Sequence, residues 1–172
     1  YGPECRDLWT VDAGNKLVGI DASGLELRML AHHMEDPAYI KTVVEGSSKD
    51  GTDVHTMNMK AAGLTNRDQA KTFIYAFLYG AGYEKIGSIV GGGQIAGGKL
   101  SRKFLDNTPA LKKLKDTVAI EATSGFILGL DGRKLWIRSA HSALNTKLQS
   151  AGAILMKRAL IILHKKLKCG II

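Results

Sequence analysis

The segment from Arg67 to Gly82, RDQAKTFIYAFLYGAG, constrains the fold more than any other part of the chain. Its apolar residues recur with helical spacing, which predicts a helix that turns one face toward a core and is stopped by two glycines. A polar strip follows the other face at a four-residue spacing, over roughly 18 Å of helix. The residues expected in the core are Ala70, Phe73, Ile74 and Phe77, and the polar strip consists of Arg67, Lys71, Tyr75 and Tyr79.

The polar strip orders its chemistry along the helix, because two cations come first and two phenol rings follow. Cations suit a polyphosphate and aromatic rings suit a sugar and a base, so this order fits a nucleoside triphosphate. Lys and Arg at helical spacing more commonly form an ordinary solvated face, and aromatic residues more commonly face a core. Spacing alone favours that ordinary alternative, and other segments must decide between the two.

The composition fits one ordinary domain, since 45% of the 172 residues are hydrophobic. No run is long and apolar enough to cross a membrane, and the first residues lack the character of a secretory signal. Cys5 and Cys169 lie near opposite ends and form no metal or redox motif, so we expect a reducing cytoplasm. The abrupt start and end predict a fragment of a longer protein.

The net charge of +8 is concentrated in the second half of the chain. Residues 1–98 carry 9 Lys or Arg against 12 Asp or Glu, whereas residues 99–172 carry 15 against 4. This asymmetry favours a polyanion along the second half, and a nucleic acid is the expected partner. A basic solvated surface without a partner is the alternative.

Periodicity and capping residues predict a helix-rich α+β fold. We expect LVGIDA, residues Leu17–Ala22, to form a short buried strand, and Phe126–Arg138 to form a hairpin with a tight primed turn at Asp131-Gly132. Leu25, Met29 and Leu30 are expected to face inward. The predicted helices are Leu25–Met34, Ala38–Val44, Val54–Ala62 with Asp53 as N-cap, Arg67–Tyr79 capped by Thr65 or Asn66, Glu84–Val90, Lys99–Leu105, Ala110–Ala122 and Ala143–Lys168.

Several polar residues stand where they could carry chemistry. Asp21 ends the predicted strand, where a carboxylate can hold a divalent cation, although a strand-end Asp is often only a helix cap. Glu26 lies in the first turn of the next helix, where it could project over a ligand or merely complement the helix dipole. His55 could donate a hydrogen bond to a phosphate, or be a partly buried histidine of the fold.

The second half offers candidates for contact with DNA. Asn145 and Gln149 are four residues apart on the last helix, and amides at this spacing can bind acceptor groups in a minor groove. They could equally be ordinary polar positions. Arg133, Lys134 and Arg138 on the hairpin are placed to meet phosphates.

The glycine-rich stretch GGQIAGGKL almost matches a P-loop. Gly93, Gly98 and Lys99 satisfy its spacing, but Leu100 occupies the position where Ser or Thr binds magnesium. We interpret the match as coincidental and expect a flexible basic loop, with a P-loop nucleotidase as a weaker alternative.

Three blocks, in this order, resemble the family A DNA polymerases, which are related to DNA polymerase I. The resemblance extends from about residue 16 to residue 168 and is closest to the replicative polymerases of short-tailed bacteriophages. It implies a polymerase palm with a small antiparallel sheet and a helical fingers subdomain. The blocks are GIDASGLELRMLAH for the first palm motif, RDQAKTFIYAFLYGAG for the fingers helix, and HSALNTKLQSAGA for the segment that grips the primer–template minor groove.

The resemblance implies a nucleotide site formed by Glu26, His55, Arg67, Lys71, Tyr75 and Tyr79. Glu26 would block a ribose 2′-hydroxyl, and Tyr75 at the sugar implies tolerance of dideoxynucleotides. Tyr79 would stack near the templating position and move with the helix. Lys71 is also implied to be catalytic, because with Arg67 it would neutralise charge on the β- and γ-phosphates.

The resemblance further implies two Mg²⁺ ions in the complete site, with Asp21, one of two catalytic aspartates, and the carbonyl of Ala22 as ligands. Primer–template DNA and a deoxynucleotide would be the partners, with a processivity factor bound through regions outside this chain. The DNA contacts implied are Arg133, Arg138, His141, Asn145 and Gln149, although family members from cells usually have Arg at the position of His141.

One departure limits the expected activity. The family's third palm motif, a His-Asp-Glu hairpin with the second catalytic aspartate, does not occur in this sequence. We therefore expect these 172 residues alone to bind nucleotide and DNA weakly without extending primers, and a longer parent to be active in a bacterial cytoplasm. A catalytically dead polymerase remnant is the alternative. The expected division is palm for residues 1–53, fingers for 54–122, and a DNA-facing hairpin and helix for 123–172.

Overall fold

A computed structural model describes residues 2–167, and within them the helix-rich α+β fold is confirmed. Two strands form one antiparallel hairpin, and helices account for the other regular elements of this range. The helices are α1 (Gly2–Asp7), α2 (Leu25–Met34), α3 (Pro37–Glu45), α4 (Val54–Ala62), α5 (Arg67–Leu78), α6 (Tyr83–Ser88), α7 (Gln94–Asp106), α8 (Pro109–Glu121) and α9 (Ala143–Leu167), and the strands are β1 (Phe126–Leu128) and β2 (Lys134–Trp136). In the part of the chain so described, no helix has the length and apolar character needed to cross a membrane.

Helix starts and stops follow the predicted capping residues closely. The Asp53 side chain accepts a hydrogen bond from the backbone N–H of His55 and begins α4, and Gly63 ends that helix in the left-handed conformation. Asn66, rather than Thr65, caps α5 by accepting from two backbone N–H groups. These caps satisfy helix-end groups that the helix itself leaves unbonded, which is why the sequence locates them well.

The core forms where the apolar face of α5 meets α7. The rings of Phe73 and Phe104 are fully buried and meet edge to face at 5.2 Å, and Phe77 meets Phe104 in the same way at 5.5 Å. Burial of each such ring stabilises the fold by about 1.5–3 kcal/mol. All four residues predicted to face the core from this helix are buried: Ala70, Phe73, Ile74 and Phe77.

Helix α2 turns a slightly different face inward than the sequence predicts. Leu30 is buried as expected, but Leu25 and Met29 are only partly buried. Leu27 and Met34 are buried instead. The core therefore lies on the α2 face that carries Leu27, Leu30 and Met34.

The predicted strand Leu17–Ala22 is wrong. The segment has no regular structure, and Leu17, Val18 and Ile20 are 56%, 75% and 68% exposed. A β-strand is defined by hydrogen bonds to a neighbouring strand. Within residues 2–167 the paired strands are β1 and β2, and neither pairs with this segment.

The glycine-rich stretch is also not the flexible loop that composition suggests. Helix α7 already begins at Gln94, so that Gly97, Gly98 and Lys99 are helical. The glycines let α6 and α7 meet backbone to backbone: a Cβ on Gly97 would lie 1.8 Å from the Tyr83 carbonyl oxygen, and one on Gly87 would lie 2.0 Å from the Gly93 carbonyl oxygen. Glycine is needed for helix packing here and does not mark flexibility.

The predicted hairpin is confirmed, but its turn is of another type. Phe126 pairs with Trp136 and Leu128 with Lys134, and the Gly129 N–H donates to the Arg133 carbonyl oxygen. The loop between this last pair has three residues, and Gly132 has φ of 78° whereas Asp131 does not have positive φ. A primed two-residue turn needs positive φ at both central positions, or at the first of them, so the loop is a three-residue turn with glycine in the left-handed position.

The last helix extends from Ala143 to Leu167, and the predicted end at Lys168 lies outside the described residues, as does Cys169. Its first turns are buried, as Leu144 and Leu148 show, whereas the apolar residues farther on are largely exposed, including Ile161 and Ile162. A side-chain bond of 2.9 Å from Lys147 Nζ to Glu121 Oε2 joins α9 to the end of α8. The division into palm, fingers and DNA-facing parts stays a prediction.

The contact between α6 and α7 provides a test of the fold. We expect Gly97→Ala to lower the free energy of unfolding by about 3 kcal/mol, because its Cβ would collide with backbone that cannot move alone. Gly98→Ala is the matched control on the same helix, since its Cβ would meet only the Tyr83 side chain at 3.8 Å. Better helix propensity should make that variant more stable by about 1 kcal/mol. Urea unfolding measures both, and equal stability of the two variants would contradict the packing.

Candidate nucleotide and DNA site

The aromatic end of the polar strip lies against α2. The rings of Tyr75 and Tyr79 are stacked, with centroids 6.3 Å apart and planes 28° from parallel. The Tyr79 hydroxyl donates a hydrogen bond of 3.1 Å to Oε1 of Glu26, so the end of α5 is tied to the first turn of α2. Three of the residues predicted to bind a nucleotide therefore meet, although 53 positions separate Glu26 from Tyr79.

The pKa values of both phenols reflect this arrangement. Burial is the main cause that raises the pKa of Tyr79, and the hydrogen bond to Glu26 raises it further, because a carboxylate acceptor favours the protonated phenol. The Gln149 side chain acts in the opposite direction on the same hydroxyl. Burial likewise raises the pKa of Tyr75, with the Glu26 charge as the second cause. Both rings stay neutral at physiological pH and can stack on a base or sugar.

The cationic end of the polar strip lies beside the start of α4. Arg67 bonds to both oxygens of Asp53, from Nε at 3.3 Å and from Nη2 at 2.6 Å. His55 lies in the first turn of α4, and the centroid of its ring is 6.1 Å from that of Tyr75. Lys71 is exposed between the two ends. Two cations and an imidazole thus line one stretch of surface that continues into the tyrosine pair.

His55 is partly buried beside two cations. Burial, followed by the charge of Arg67, lowers its pKa; Lys71 lowers it too, and only Asp53 opposes them. Its Nδ1 atom is buried without a hydrogen-bond partner. A neutral imidazole carries one N–H donor, and an anion beside it would offset the repulsion from the two cations.

A cleft of about 230 Å³ opens between α2 and α9 beside the Tyr79–Glu26 contact. Glu26 lines it from α2, and Gln149 and Met156 line it from α9. The two helices approach closely at Gly152, where a Cβ would lie 3.2 Å from Leu25 Cδ2. The cleft brings a residue predicted to bind DNA, Gln149, next to residues predicted to bind nucleotide.

The other predicted DNA contacts lie near the start of α9. His141 is exposed and Asn145 is partly buried, one turn before Gln149. The end of α5 approaches this region, because a Cβ on Gly80 would lie 2.7 Å from the His141 carbonyl oxygen. The fold therefore brings the end of the polar strip to the helix that is expected to face DNA.

The two arginines of the hairpin region, Arg133 and Arg138, differ in their side-chain contacts. Arg133 is bound within the hairpin, since its Nε donates to Asp131 Oδ2 at 2.6 Å, and this contact is the main cause that lowers the pKa of Asp131. Arg138 is exposed. Of the two, only Arg133 is held by an ion pair in the described structure.

The predicted metal ligands do not form a complete site within residues 2–167. Asp21 is exposed and lies with Ala22 at the end of the irregular segment, residues 17–22. No group of three or more His, Cys, Asp or Glu side chains among these described residues could hold a metal ion. Oxygen donors of this kind suit Mg²⁺, but one carboxylate and one carbonyl supply only part of its coordination.

The P-loop alternative does not fit the structure. In a P-loop, free backbone N–H groups of a loop after a strand surround the phosphates. Here the preceding element is α6, and Gly98 and Lys99 lie within the hydrogen-bonded helix α7. The match to the motif is coincidental, as the sequence indicated.

One residue of the site was recognised only in part. The sequence predicts Asp53 as an N-cap, which is confirmed, but it does not indicate the pairing of Asp53 with Arg67 across 14 positions. Helices α4 and α5 are joined by a short connection, and their starting turns both carry polar residues. That pattern alone does not indicate which charged residues meet.

Comparisons with known proteins identify the family to which the chain belongs. The profile of DNA polymerase family A matches residues 1–170, and the chain belongs to that family. It is 44% identical over 201 aligned positions to the DNA-directed DNA polymerases of Enterobacteria phage T3 and Escherichia phage T7, in alignments that cover 99% of this chain. The DNA-directed DNA polymerase of Escherichia phage Phieco32 is 40% identical, with 93% of this chain covered.

The chain spans about 28% of the length of the T3 and T7 relatives. Among solved structures, the POL domain of Pol1 from M. smegmatis, in complex with DNA primer-template and dNTP, superposes with a TM-score of 0.72. That match has 20% sequence identity and covers 86% of this chain and 29% of the other, which shows a shared fold.

The Tyr79–Glu26 contact predicts a measurable titration. Glu26→Gln should lower the pKa of Tyr79 part of the way toward its ordinary value of 10.0, because the charge is lost while burial, the larger cause, remains. The pKa of Tyr79 is higher in the folded than in the unfolded state. The contact therefore stabilises the fold below about pH 10, and this stabilisation is lost as the pH rises through the pKa of Tyr79 in the folded state. NMR of ring-labelled tyrosine, assigned with Tyr79→Phe, measures the shift.

Glu45→Gln makes the same change of charge on an exposed residue at the end of α3 and serves as the control. It should leave both tyrosine titrations in place. An unchanged Tyr79 titration in Glu26→Gln would show that the hydrogen bond does not form in solution.

Proposed function

We propose that this chain is the part of a template-directed DNA polymerase that binds the incoming deoxynucleotide and the primer–template. The observation that carries the proposal is the meeting of His55, Arg67 and Lys71 with the tyrosine pair and Glu26 along one face of α5. The phage relatives, which are named DNA-directed DNA polymerases, support the same activity. The full-length protein would add deoxynucleotides to a primer 3′-hydroxyl.

The order of residues along α5 supports one orientation of the nucleotide. The triphosphate would lie against His55, Arg67 and Lys71, where positive charge offsets that of the phosphates. The sugar would lie against Tyr75, and the base or templating position beside Tyr79. Lys71 is not held in an ion pair in the described structure, so its ammonium group can follow charge that develops on the leaving phosphates.

Glu26 would act in this site as a steric gate. Its carboxylate is held in place by the Tyr79 hydroxyl, on the side of the tyrosine pair that faces α2. A 2′-hydroxyl on the sugar would have to displace the carboxylate or break this hydrogen bond. The proposed substrate is therefore a deoxynucleotide.

The catalytic metal would involve Asp21 and the Ala22 carbonyl. When bound, a pair of Mg²⁺ ions would activate the primer 3′-hydroxyl and stabilise the leaving pyrophosphate. No group of three or more side chains that could hold a metal ion is found among residues 2–167, and the second carboxylate would come from outside them. A polypeptide limited to these 172 residues would bind its ligands without extending a primer.

DNA would lie along the basic second half of the chain. Asn145 and Gln149 would meet the minor groove from α9, and Arg138 would meet the phosphate backbone. The full-length protein would act in the cytoplasm of a bacterial host, together with a processivity factor bound outside these residues. Both expectations rest on the resemblance to phage polymerases.

The proposal predicts different roles for two exposed lysines. In the full-length polypeptide, Lys71→Ala should reduce deoxynucleotide incorporation by about 100-fold, because it removes one group that stabilises charge in the transition state. Lys99→Ala, on α7, removes an equal charge and should change the rate by no more than about twofold. Single-turnover primer extension measures both. Loss of nucleotide binding in Lys99→Ala with a silent Lys71→Ala would reverse the assignment.

The proposed gate predicts a change of sugar selectivity. Glu26→Ala should reduce discrimination against ribonucleotides by about 10- to 100-fold, because the carboxylate no longer occupies the space of a 2′-hydroxyl. Two variants separate bulk from hydrogen bonding: Glu26→Gln keeps the bulk, and Tyr79→Phe removes the hydrogen bond alone. Incorporation of rNTP relative to dNTP measures the effect. If Tyr79→Phe admitted ribonucleotides as readily as Glu26→Ala, discrimination would depend on the hydrogen bond and not on the bulk of Glu26.

A further inference from the structure

Asp53 makes more contacts than its role as a helix cap requires. It is 8% exposed, and it accepts from the His55 backbone N–H at 3.3 Å and from Thr56 Oγ1 at 2.6 Å at the start of α4. Asp36 is the comparable cap of α3 and accepts from two backbone N–H groups there. Asp53 differs in that both of its oxygens also receive bonds from a guanidinium.

The contact with Arg67 uses one edge of the guanidinium. Nε donates to Oδ1 and Nη2 donates to Oδ2, which fixes the plane of the group relative to the carboxylate. The Asp53 side chain is 11% exposed and that of Arg67 is 39% exposed, so the carboxylate lies inside and the guanidinium outside. The remaining N–H groups of Arg67 are left for a partner on the solvent side.

The same carboxylate connects the first turns of two helices. His55 follows it on α4, and Arg67 begins α5. A free arginine side chain would lose much of its rotational freedom when it bound a phosphate, whereas one already held in place has lost it in advance. His55 and Arg67, two of the three groups proposed to hold the triphosphate, are therefore positioned by the same carboxylate.

Electrostatics and preorganisation make opposite predictions for Asp53. As a negative charge beside a triphosphate site, it should weaken binding of the anion, so its removal should strengthen binding. As the group that holds Arg67 in place, it should strengthen binding, so its removal should weaken it. The sign of the effect on nucleotide affinity distinguishes the two.

We propose that Asp53 is a positioning residue, which holds Arg67 beside His55 so that both are set in advance to receive the phosphates of the incoming nucleotide. This inference rests on the proposed function of the same site. It adds to that function a carboxylate that contacts no substrate and acts through the side chain of Arg67.

Asp53→Ser tests this role in the full-length polypeptide, because serine retains the helix cap but is too short to reach Arg67. We expect the dissociation constant for dNTP to rise about tenfold, because an Arg67 that is no longer held in place loses charged hydrogen bonds to the phosphates. The maximum rate should change less. Single-turnover incorporation measures both. Asp36→Ser makes the same exchange at a cap without an arginine. It should leave the dissociation constant unchanged. Asp53→Ser should have the lower thermal midpoint of the two, because it also loses the ion pair with Arg67, so binding is measured at a temperature where both variants are folded.

A double-mutant cycle with Arg67→Ala shows whether the effect passes through Arg67. If it does, Asp53→Ser adds little in the Arg67→Ala background. A full additive loss there, or an unchanged or tighter dissociation constant in Asp53→Ser alone, would overturn the inference. If dNTP binding responded normally to Lys71→Ala, either result would leave the proposed function standing. A wild-type protein that bound no dNTP would overturn the proposed function and this inference together.

Discussion

The edge-to-face packing of Phe73 and Phe77 of α5 against Phe104 of α7 is the interaction on which the rest of the site depends. It fixes the rotation of α5 about its own axis. A helix turned by one residue would rotate about 100°, which would carry its polar strip away from α2 and α4. The buried aromatic cluster thus determines which side chains can reach Glu26 and Asp53, although none of its rings belongs to the proposed site.

The polar strip is held near both ends by carboxylates from other helices. Asp53 binds Arg67 at the start of α5, and Glu26 accepts from Tyr79 at its end. Lys71, in the middle of the strip, has no such partner in the described structure. This arrangement gives the two ends of the strip a defined position while leaving the central cation free to respond to a ligand.

Sequence patterns predicted helices and caps well because those depend on neighbouring residues. Asp53, Asn66 and Gly63 mark helix ends through local hydrogen bonds and backbone conformation, and the structure agrees at each. The strand at residues 17–22 failed because pairing depends on a partner elsewhere. The glycines of α7 suggest a loop by composition but lie in a helix, because they allow the close approach of α6, which composition does not reveal.

The site follows the same rule. The polar strip could be predicted because its members lie four residues apart on one helix. Two contacts could not be predicted, because they depend on how α2 and α4 pack against α5. They are the hydrogen bonds from Tyr79 to Glu26, across 53 positions, and from Arg67 to Asp53, across 14. The family motifs indicated that Glu26, Arg67 and Tyr79 belong together but not which atoms meet. Among residues 2–167, Asp21 is not part of any group of three or more His, Cys, Asp or Glu side chains that could hold a metal ion.

The glycine contact between α6 and α7 also bears on how this segment can vary in evolution. Composition makes residues 91–98 look like a linker that could gain or lose residues freely. Since Gly97 must face the Tyr83 carbonyl oxygen, a one-residue insertion within the first turn of α7 would bring a neighbour such as Ala96 to that point. The stretch with the simplest sequence is therefore among the parts where length has to be conserved.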